Sequence, residues 1–333
     1  MAALGSAVNL LDLATRMNHD GNIDSAAIAE LLSQTNSFNA NSVWKEGNMT
    51  TGERVTIRTG LPTIYFRKLN QGVQPSKSTT VQVDEGTCMM EARGQIDKDL
   101  ADLNGLTAQF RMSENAPFME AMGQTFGAKA FYGNTGLDPE QFTGLATRYS
   151  DDSGPANAEN IISGGGVGSD NTSIWLIDHS EQGCYGIYPK GLPAGLTHED
   201  LGLGDAFDTQ TPPARFRAYM DLWQWKAGLV VKDWRRVVRA ANIDVSNLIA
   251  ETSAADILEL MAVMVDKIPA GGSNSNLRFY CNRTVKTMLR IQCMNRPNVY
   301  LTLGQEEGRP KLSFDGIPIE LHDQILSTES AVT

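Results

Sequence analysis

Residues 215–244, RFRAYMDLWQWKAGLVVKDWRRVVRAANID, carry three of the chain's five tryptophans (Trp223, Trp225, Trp234) within twelve residues, interleaved with Lys226, Lys232, Arg235, Arg236 and Arg239. From Phe216 to Trp225 the side chains alternate. Phe216, Ala218, Met220 and Leu222 fall on one side, and Arg217, Tyr219, Asp221, Trp223 and Trp225 on the other. Period-two alternation marks a strand, and large residues on both sides predict that both meet protein. Lys226-Ala227-Gly228 reads as a turn and Leu229-Val230-Val231 as a returning strand, followed by a basic Trp/Arg segment closed by Asn242 and Asp244. No residue here is arranged as a nucleophile, a base or a metal ligand. The stretch reads as a packing surface, which makes Trp223, Trp225, Trp234, Arg235 and Arg239 candidates for contact with a partner.

Upstream, residues 48–85 form strand-like pieces with few apolar residues. Arg54-Val55-Thr56-Ile57-Arg58 alternates, as does Thr79-Thr80-Val81-Gln82-Val83, and between them lie an Ile64-Tyr65-Phe66 cluster and a polar turn from Asn70 to Pro75. Two long strands with so little apolar surface gain little from each other, because an isolated hairpin is marginal in water. Such a hairpin lies either on its own domain or on a neighbouring molecule, and these residues alone leave both readings open. On the second reading Arg58, Tyr65 and Phe66 join the candidate contacts.

The rest of the chain reads as segregated helices and strands, an α+β pattern. Leu10, Leu13, Ala14 and Met17 form one short helical stripe, and Ile28, Leu31 and Leu32 another. A long helix is predicted over 113–132, capped by Ser113 or Asn115, with Pro117 in its first turn and a stop at Gly133-Asn134. Its Gly123 and Gly127 predict close packing against another element. Strands are predicted at Ser173–Ile177 and Gly186–Tyr188, loop over 190–213, and a helix over 254–268 with a capping-box variant at Ser253–Asp256. A further helix starts from Asn282, and strands return near Lys311–Phe314 and Ile317–Ile319.

Composition excludes several classes of function. The 333 residues carry 28 Lys and Arg against 39 Asp and Glu, a formal charge of −11, which disfavours a main role in gripping nucleic acid. Cys88, Cys184, Cys281 and Cys293 show no Cys-x-x-Cys pair, so a reduced setting is expected rather than a disulfide framework. The first twenty residues lack the basic start and long apolar run of a signal peptide, and nothing approaches a membrane span.

Catalytic motifs are sparse. Gly164-Gly165-Gly166-Val167-Gly168-Ser169-Asp170 departs from the dinucleotide template at Ser169, has no following lysine, and precedes a strand rather than a helix. It reads as a flexible surface loop. The scattered His19, His179, His198 and His322 match no metal-site spacing, and Asp178-His179 and His198-Glu199-Asp200 read as solvated loop residues. Asp151-Asp152 and Glu306-Glu307 read as solvated turns. No catalytic residue, cofactor or metal is expected.

Taken in order, several segments resemble the major capsid proteins of tailed bacteriophages, in particular a short-tailed group. The W-x-W-K-x-G-L-x-V-x-D-W-R run within Asp221–Asp244 is one. Ala130-Phe131-Tyr132-Gly133-Asn134 with Pro139-Glu140-x-Phe142-x-Gly144-Leu145 is another. Thr172-Ser173-Ile174-Trp175 with Gly186–Gly191 is similar to their next strand pair, and Asp315–Glu329 to their common ending. The resemblance runs from about residue 112 onward.

It implies the Hong Kong phage-type capsid fold, with an N-terminal arm (1–47), an extended two-stranded loop (48–95) and a body (96–333) of peripheral and apical parts built on a spine helix. It further implies self-assembly as hexamers and pentamers into an icosahedral shell around the phage genome. Scaffolding, portal and cement proteins are the implied partners, with double-stranded DNA held non-specifically at the inner face. The implied location is the virion, after assembly in the host cytoplasm. Some members of the fold cross-link a loop lysine to a distant asparagine; no motif ties Lys77 to such chemistry. A removable N-terminal scaffolding segment is not expected. Two rival readings are an encapsulin-like compartment shell and an enzyme with its site near Gly164–His179.

Overall fold

The computed structural model describes residues 34–102, 107–207, 214–269, 276–295, 301–306 and 309–333. The helical stripes expected at 10–17 and 28–32 lie outside the described residues. Thirteen strands run in chain order among those described: β1 (Trp44–Glu46), β2 (Gly52–Gly60), β3 (Thr79–Asp97), β4 (Ile161–Ser163), β5 (Asn171–Asp178), β6 (Cys184–Tyr188), β7 (Leu196–Phe207), β8 (Arg215–Val231), β9 (Val237–Asp244), β10 (Leu277–Cys281), β11 (Leu301–Glu306), β12 (Arg309–Phe314) and β13 (Ile317–Leu321). Contacts group the chain into two compact units made of separated stretches, which cut across the division into 1–47, 48–95 and 96–333. The larger takes in Thr35–Cys88, Phe126–Ala194 and Ala227–Thr333, the smaller Met89–Thr125 and Gly195–Lys226.

In the larger unit a seven-stranded sheet has the order β11-β12-β13-β10-β5-β9-β4. Strand β5 is buried at every residue and β9 at all but Asp244, so both read as apolar runs rather than alternations. Helices Ile257–Lys267 and Arg283–Asn295 cover the sheet. Met261, Met264, Val285 and Leu289 pack with Ile174, Leu176, Val238 and Phe279 in one core. The first helix is capped by Asp256, which accepts from the Glu259 N–H, so the cap stands three residues later than the Ser253 reading placed it. Asn282, where the second was expected to start, is its cap, accepting from the Val285 N–H at 2.8 Å. Asp315 (φ 49°) and Gly316 (φ 76°) make the two-residue turn between β12 and β13. The expected strands at 173–177 and 186–188 both form but are not partners. β5 pairs with β9 and β10, whereas β6 pairs with β1 and β8.

Two predictions around β8 fail. No turn interrupts 226–228, and β8 is one strand of seventeen residues. Gly228 is there for closeness: a Cβ on it would stand 2.7 Å from the Gly86 carbonyl oxygen. In the smaller unit, the Gly- and Pro-bearing stretch expected as loop contains β7, which pairs antiparallel with β8 from Leu196↔Trp225 to Phe207↔Arg215. Main-chain pairing alone holds most of it, since nearly all its residues are exposed or half-buried. A strand made that way leaves little hydrophobic pattern to read.

The long helix runs Thr107–Tyr132, so Pro117 sits in its interior rather than its first turn. Ala116 and Pro117 face outward, and Phe110 enters a small core with Ile96, Leu100 and Ala101. Gly127 meets the expectation of close packing, because a Cβ there would stand 3.1 Å from the His322 ring; Gly123 has nothing within 4 Å.

Candidate inter-subunit surface

Strands β2 and β3 form the expected hairpin, in register from Gly52↔Gly86 to Gly60↔Thr79 with an irregularity between Arg58 and Gly60. Its root is part of the larger unit's core. Val55 packs with Tyr185, Ile187 and Val230, and Ile57 lies against them. Glu85 is buried and takes two hydrogen bonds from the Arg148 guanidinium, at 2.5 and 2.6 Å. Gly52 permits the strands to close, since a Cβ on it would fall 1.9 Å from the Glu85 carbonyl oxygen. Neither Glu85 nor Arg148 was marked from the sequence.

Beyond Ile57 nearly every residue of the hairpin is exposed as far as Asp84. Arg54 clasps Asp84 through hydrogen bonds of 2.6 and 2.7 Å, which hold that carboxyl below the usual carboxylate range. The tip, 61–78, is shaped by a few local bonds. Ser76 Oγ donates to the Thr63 carbonyl at 2.8 Å, Arg67 Nε to the Gln71 carbonyl at 2.8 Å, and Asn70 turns the chain at φ 64°. Leu61, Ile64, Phe66 and Leu69 are 80 to 106% exposed. Burying such side chains is worth about 1.5–3 kcal/mol each, and the chain forgoes all of it here. Arg58 and Tyr65 are exposed with them.

The Trp/Arg candidates divide. Trp234 is half-buried and Arg235 exposed, the latter paired to Asp233 at 2.9 Å. Trp223 and Trp225 are each 6% exposed within their own chain, and Trp223 stacks on His198 with ring centres 4.1 Å apart. Arg239 is an internal residue. It donates to Ser173 Oγ at 3.0 Å, the Tyr149 carbonyl at 2.6 Å and Glu329 at 2.8 Å, and lies over the Trp175 ring. Those three residues are therefore withdrawn from the expected contacts, because their surface is spent inside the subunit. Arg236 is likewise engaged, by buried Asp178 at 2.6 Å.

The residues expected as solvated loop ligands are corrected too. His179 and His322 are buried, and burial lowers their pKa values to about 3 and about 4. His179 Nε2 stands 2.7 Å from the Tyr280 hydroxyl, and both imidazoles lie edge-on to Phe38. His198 and Asp200 lie on β7, where Asp221 holds His198 at 2.8 Å and Arg111 holds Asp200 at 2.8 Å. The glycine loop after β4 is tied to β9, with the Gly164 and Gly166 N–H groups donating to the carbonyls of Ala241 and Asn242. No group of three or more His, Cys, Asp or Glu among the described residues is placed to hold a metal. The four cysteines are free, and burial pushes the Cys184 and Cys281 thiols up to about 12.

Among the described residues the hairpin is thus anchored at its root and exposed at its tip. Residues 18–333 match the family described as Major capsid protein GP7. The chain belongs to that family. A chain in the near-atomic structure of Bacteriophage Epsilon15 is 34% identical to this capsid protein, with all of both chains covered and a TM-score of 0.75. The Bacteriophage JBD30 capsid, 7% identical, shares the fold at a TM-score of 0.50 over 91% of this chain and 97% of that one. The SrpI encapsulin complex of Synechococcus elongatus, 11% identical over 71% of this chain and 97% of that one, reaches a TM-score of only 0.40 and carries no weight. A comparison with curated proteins gave no match. The protein is thus a shell-forming phage capsid protein, located in the virion, with the Hong Kong phage-type α+β fold.

Proposed function

We propose that the capsid protein joins its neighbours through the extended loop, with Arg58, Tyr65 and Phe66 among the contacts, and with Trp234 and Arg235 in a second one. The observation that carries this is the contrast within one hairpin: a root locked by Val55 and Glu85, and a tip whose Leu61, Ile64, Phe66 and Leu69 stand in solvent. Laid on an adjacent subunit, the tip gains the burial that its own chain withholds. Each contact is modest, but a subunit with several simultaneous neighbours is held by their sum, and closed symmetry ends growth at a shell.

On this reading residues 1–47 are the N-terminal arm, 48–95 the loop and 96–333 the peripheral and apical body. Copies gather as hexamers and pentamers in the host cytoplasm, with scaffolding, portal and cement proteins as partners. Double-stranded DNA meets the inner face without sequence preference and without being gripped there, in keeping with a formal charge of −11. The role needs no catalytic residue, cofactor or membrane, and no helix among the described residues is long and apolar enough to cross one. The test replaces Leu61–Ser78 by Asn-Gly, a turn that suits the Gly60↔Thr79 pair. The expected product is a folded, soluble subunit that forms no shells; intact particles would sink the proposal.

A further inference from the structure

The loop's charge singles out the surface that receives it. From Val55 to Val83 the chain carries Arg58, Arg67, Lys68 and Lys77 and not one Asp or Glu, within a protein of formal charge −11. All four cations are exposed, and none forms an ion pair among the described residues. From Gly191 to Phe207 the reverse holds: Glu199, Asp200 and Asp205, with no Lys or Arg. That stretch contains β7, whose one strand partner among the described residues is β8, so among them its other edge presents main-chain donors and acceptors without a ladder.

We propose that the extended loop of one subunit lies along the free edge of β7 of a second copy. This rests on the reading of the loop as the joining element and names its receptor. Three features meet there. Glu199 is exposed and unpaired among the described residues, and Asp200 and Asp205, though paired with Arg111 and with Arg215 and Arg217 respectively, keep about half of their side chains in water (50% and 48%). Leu201, Leu203 and Phe207 are exposed on the same strand at 44, 39 and 57%. Beside its start, Met112, Ala116, Met119 and Asp200 line an open groove of about 430 Å³, room for an aromatic side chain such as Phe66. Cations stand beside apolar groups in the loop tip (Ile64, Phe66, Arg67, Lys68, Leu69), and carboxylates flank apolar groups in β7 (Glu199, Leu201, Leu203, Asp205). Between main chains, edge pairing supplies affinity while the side chains set register. Because loop and receptor are different patches of one chain, the contact is head-to-tail, the kind that closes rings. Asp151-Asp152, an exposed acidic pair outside any strand, serves as the control.

The test is charge exchange in the full-length chain, expressed where the wild type yields shells. Arg67→Glu with Lys68→Glu, and separately Glu199→Lys with Leu201→Lys, should each lower shell yield by about tenfold or more through like-charge contact, and the four changes in one chain should restore it. Asp151→Lys with Asp152→Lys should leave yield unchanged and rescue nothing. If loop reversal blocks assembly and the β7 reversal neither blocks nor rescues, β7 is the wrong receptor while the loop still joins subunits. If loop reversal leaves assembly intact, both readings fall together; a loss of packaged nucleic acid alone would assign the cations to phosphate instead. Carbodiimide coupling of wild-type shells, read by peptide mass spectrometry, is independent of any variant's folding. It should join Lys68 or Lys77 to Glu199, Asp200 or Asp205 of another copy, and capture of these lysines only on other carboxylates would overturn the assignment.

Discussion

Arg148 holds Glu85 by two hydrogen bonds, at 2.5 and 2.6 Å, at the point where the extended loop leaves the body. The two side chains are 18 and 8% exposed. The guanidinium also reaches the Thr143 carbonyl at 3.2 Å, so the pair fixes the loop's root against the turn that precedes it. Removing one partner of a buried pair strands the other and costs about 3–5 kcal/mol. Arg148→Met should therefore lower the denaturant midpoint of the dissociated subunit sharply, and adding Glu85→Leu should recover much of the loss. Equal stability of the single and double variants would refute a coupled pair.

Phe66 lies at the other end of the same hairpin and should behave oppositely. Being 106% exposed, it contributes nothing to the subunit's own core. Phe66→Ser is expected to leave subunit unfolding within about 0.5 kcal/mol of wild type while reducing shell yield. Both quantities are read from one preparation, by denaturation and by sedimentation; a large stability loss would place the ring in its own subunit.

The two arginines Arg235 and Arg239 should separate. Arg235 is exposed, and Arg235→Glu should disturb contacts between subunits more than folding. Arg239 and Glu329 pair at 2.8 Å with side chains 4 and 5% exposed, and Tyr132 and Ser173 also bond that carboxylate. Arg239→Ala should cost about 3–5 kcal/mol of subunit stability, visible as a lowered thermal midpoint. Matching midpoints for the two variants would contradict the difference in burial.

Acid should weaken the subunit through its buried imidazoles. In the unfolded chain His179 and His322 take up protons near pH 6.5, whereas burial lowers the folded values to about 3 and about 4. Stability is thus complete above pH 6.5. It falls as the pH drops toward 4 for His322 and toward 3 for His179, at up to about 1.4 kcal/mol per pH unit for each group. Denaturation curves between pH 7 and 4.5 check this. His179→Gln and His322→Gln should each flatten the slope, and an unchanged slope in both would discard the imidazoles as its source.

Gly228 tests the close approach of β8 to β3. An added Cβ would stand 2.7 Å from the Gly86 carbonyl and 3.1 Å from Ile187 and Thr87. Gly228→Val should cost about 1–3 kcal/mol through overpacking. Gly72→Val, at a loop position with nothing within 4 Å, should cost far less by the same denaturation assay.

The sequence by itself determined the α+β class, the extended loop and the three longest helices among the described residues. Those features are written in neighbouring residues: Met261 and Met264 one turn apart on a covered face, Thr56 and Arg58 alternating with Val55 and Ile57 on a thin hairpin. The ordered motifs from residue 112 onward carried the capsid resemblance in the same local way. Tertiary structure alone decided which charged and polar groups lie inside. Glu85 meets Arg148 across 63 residues, Asp178 meets Arg236 across 58, and Arg239 meets Glu329 across 90. Viewed locally, Asp178-His179 is a polar dipeptide like any surface pair, because nothing nearby announces Arg236 or Tyr280. β7 stayed hidden for a related reason, since the strand is held by main-chain bonds to β8 that any sequence can make. Periodicity reports the burial of apolar faces, whereas the burial of a charge depends on a partner that only the folded chain brings within reach.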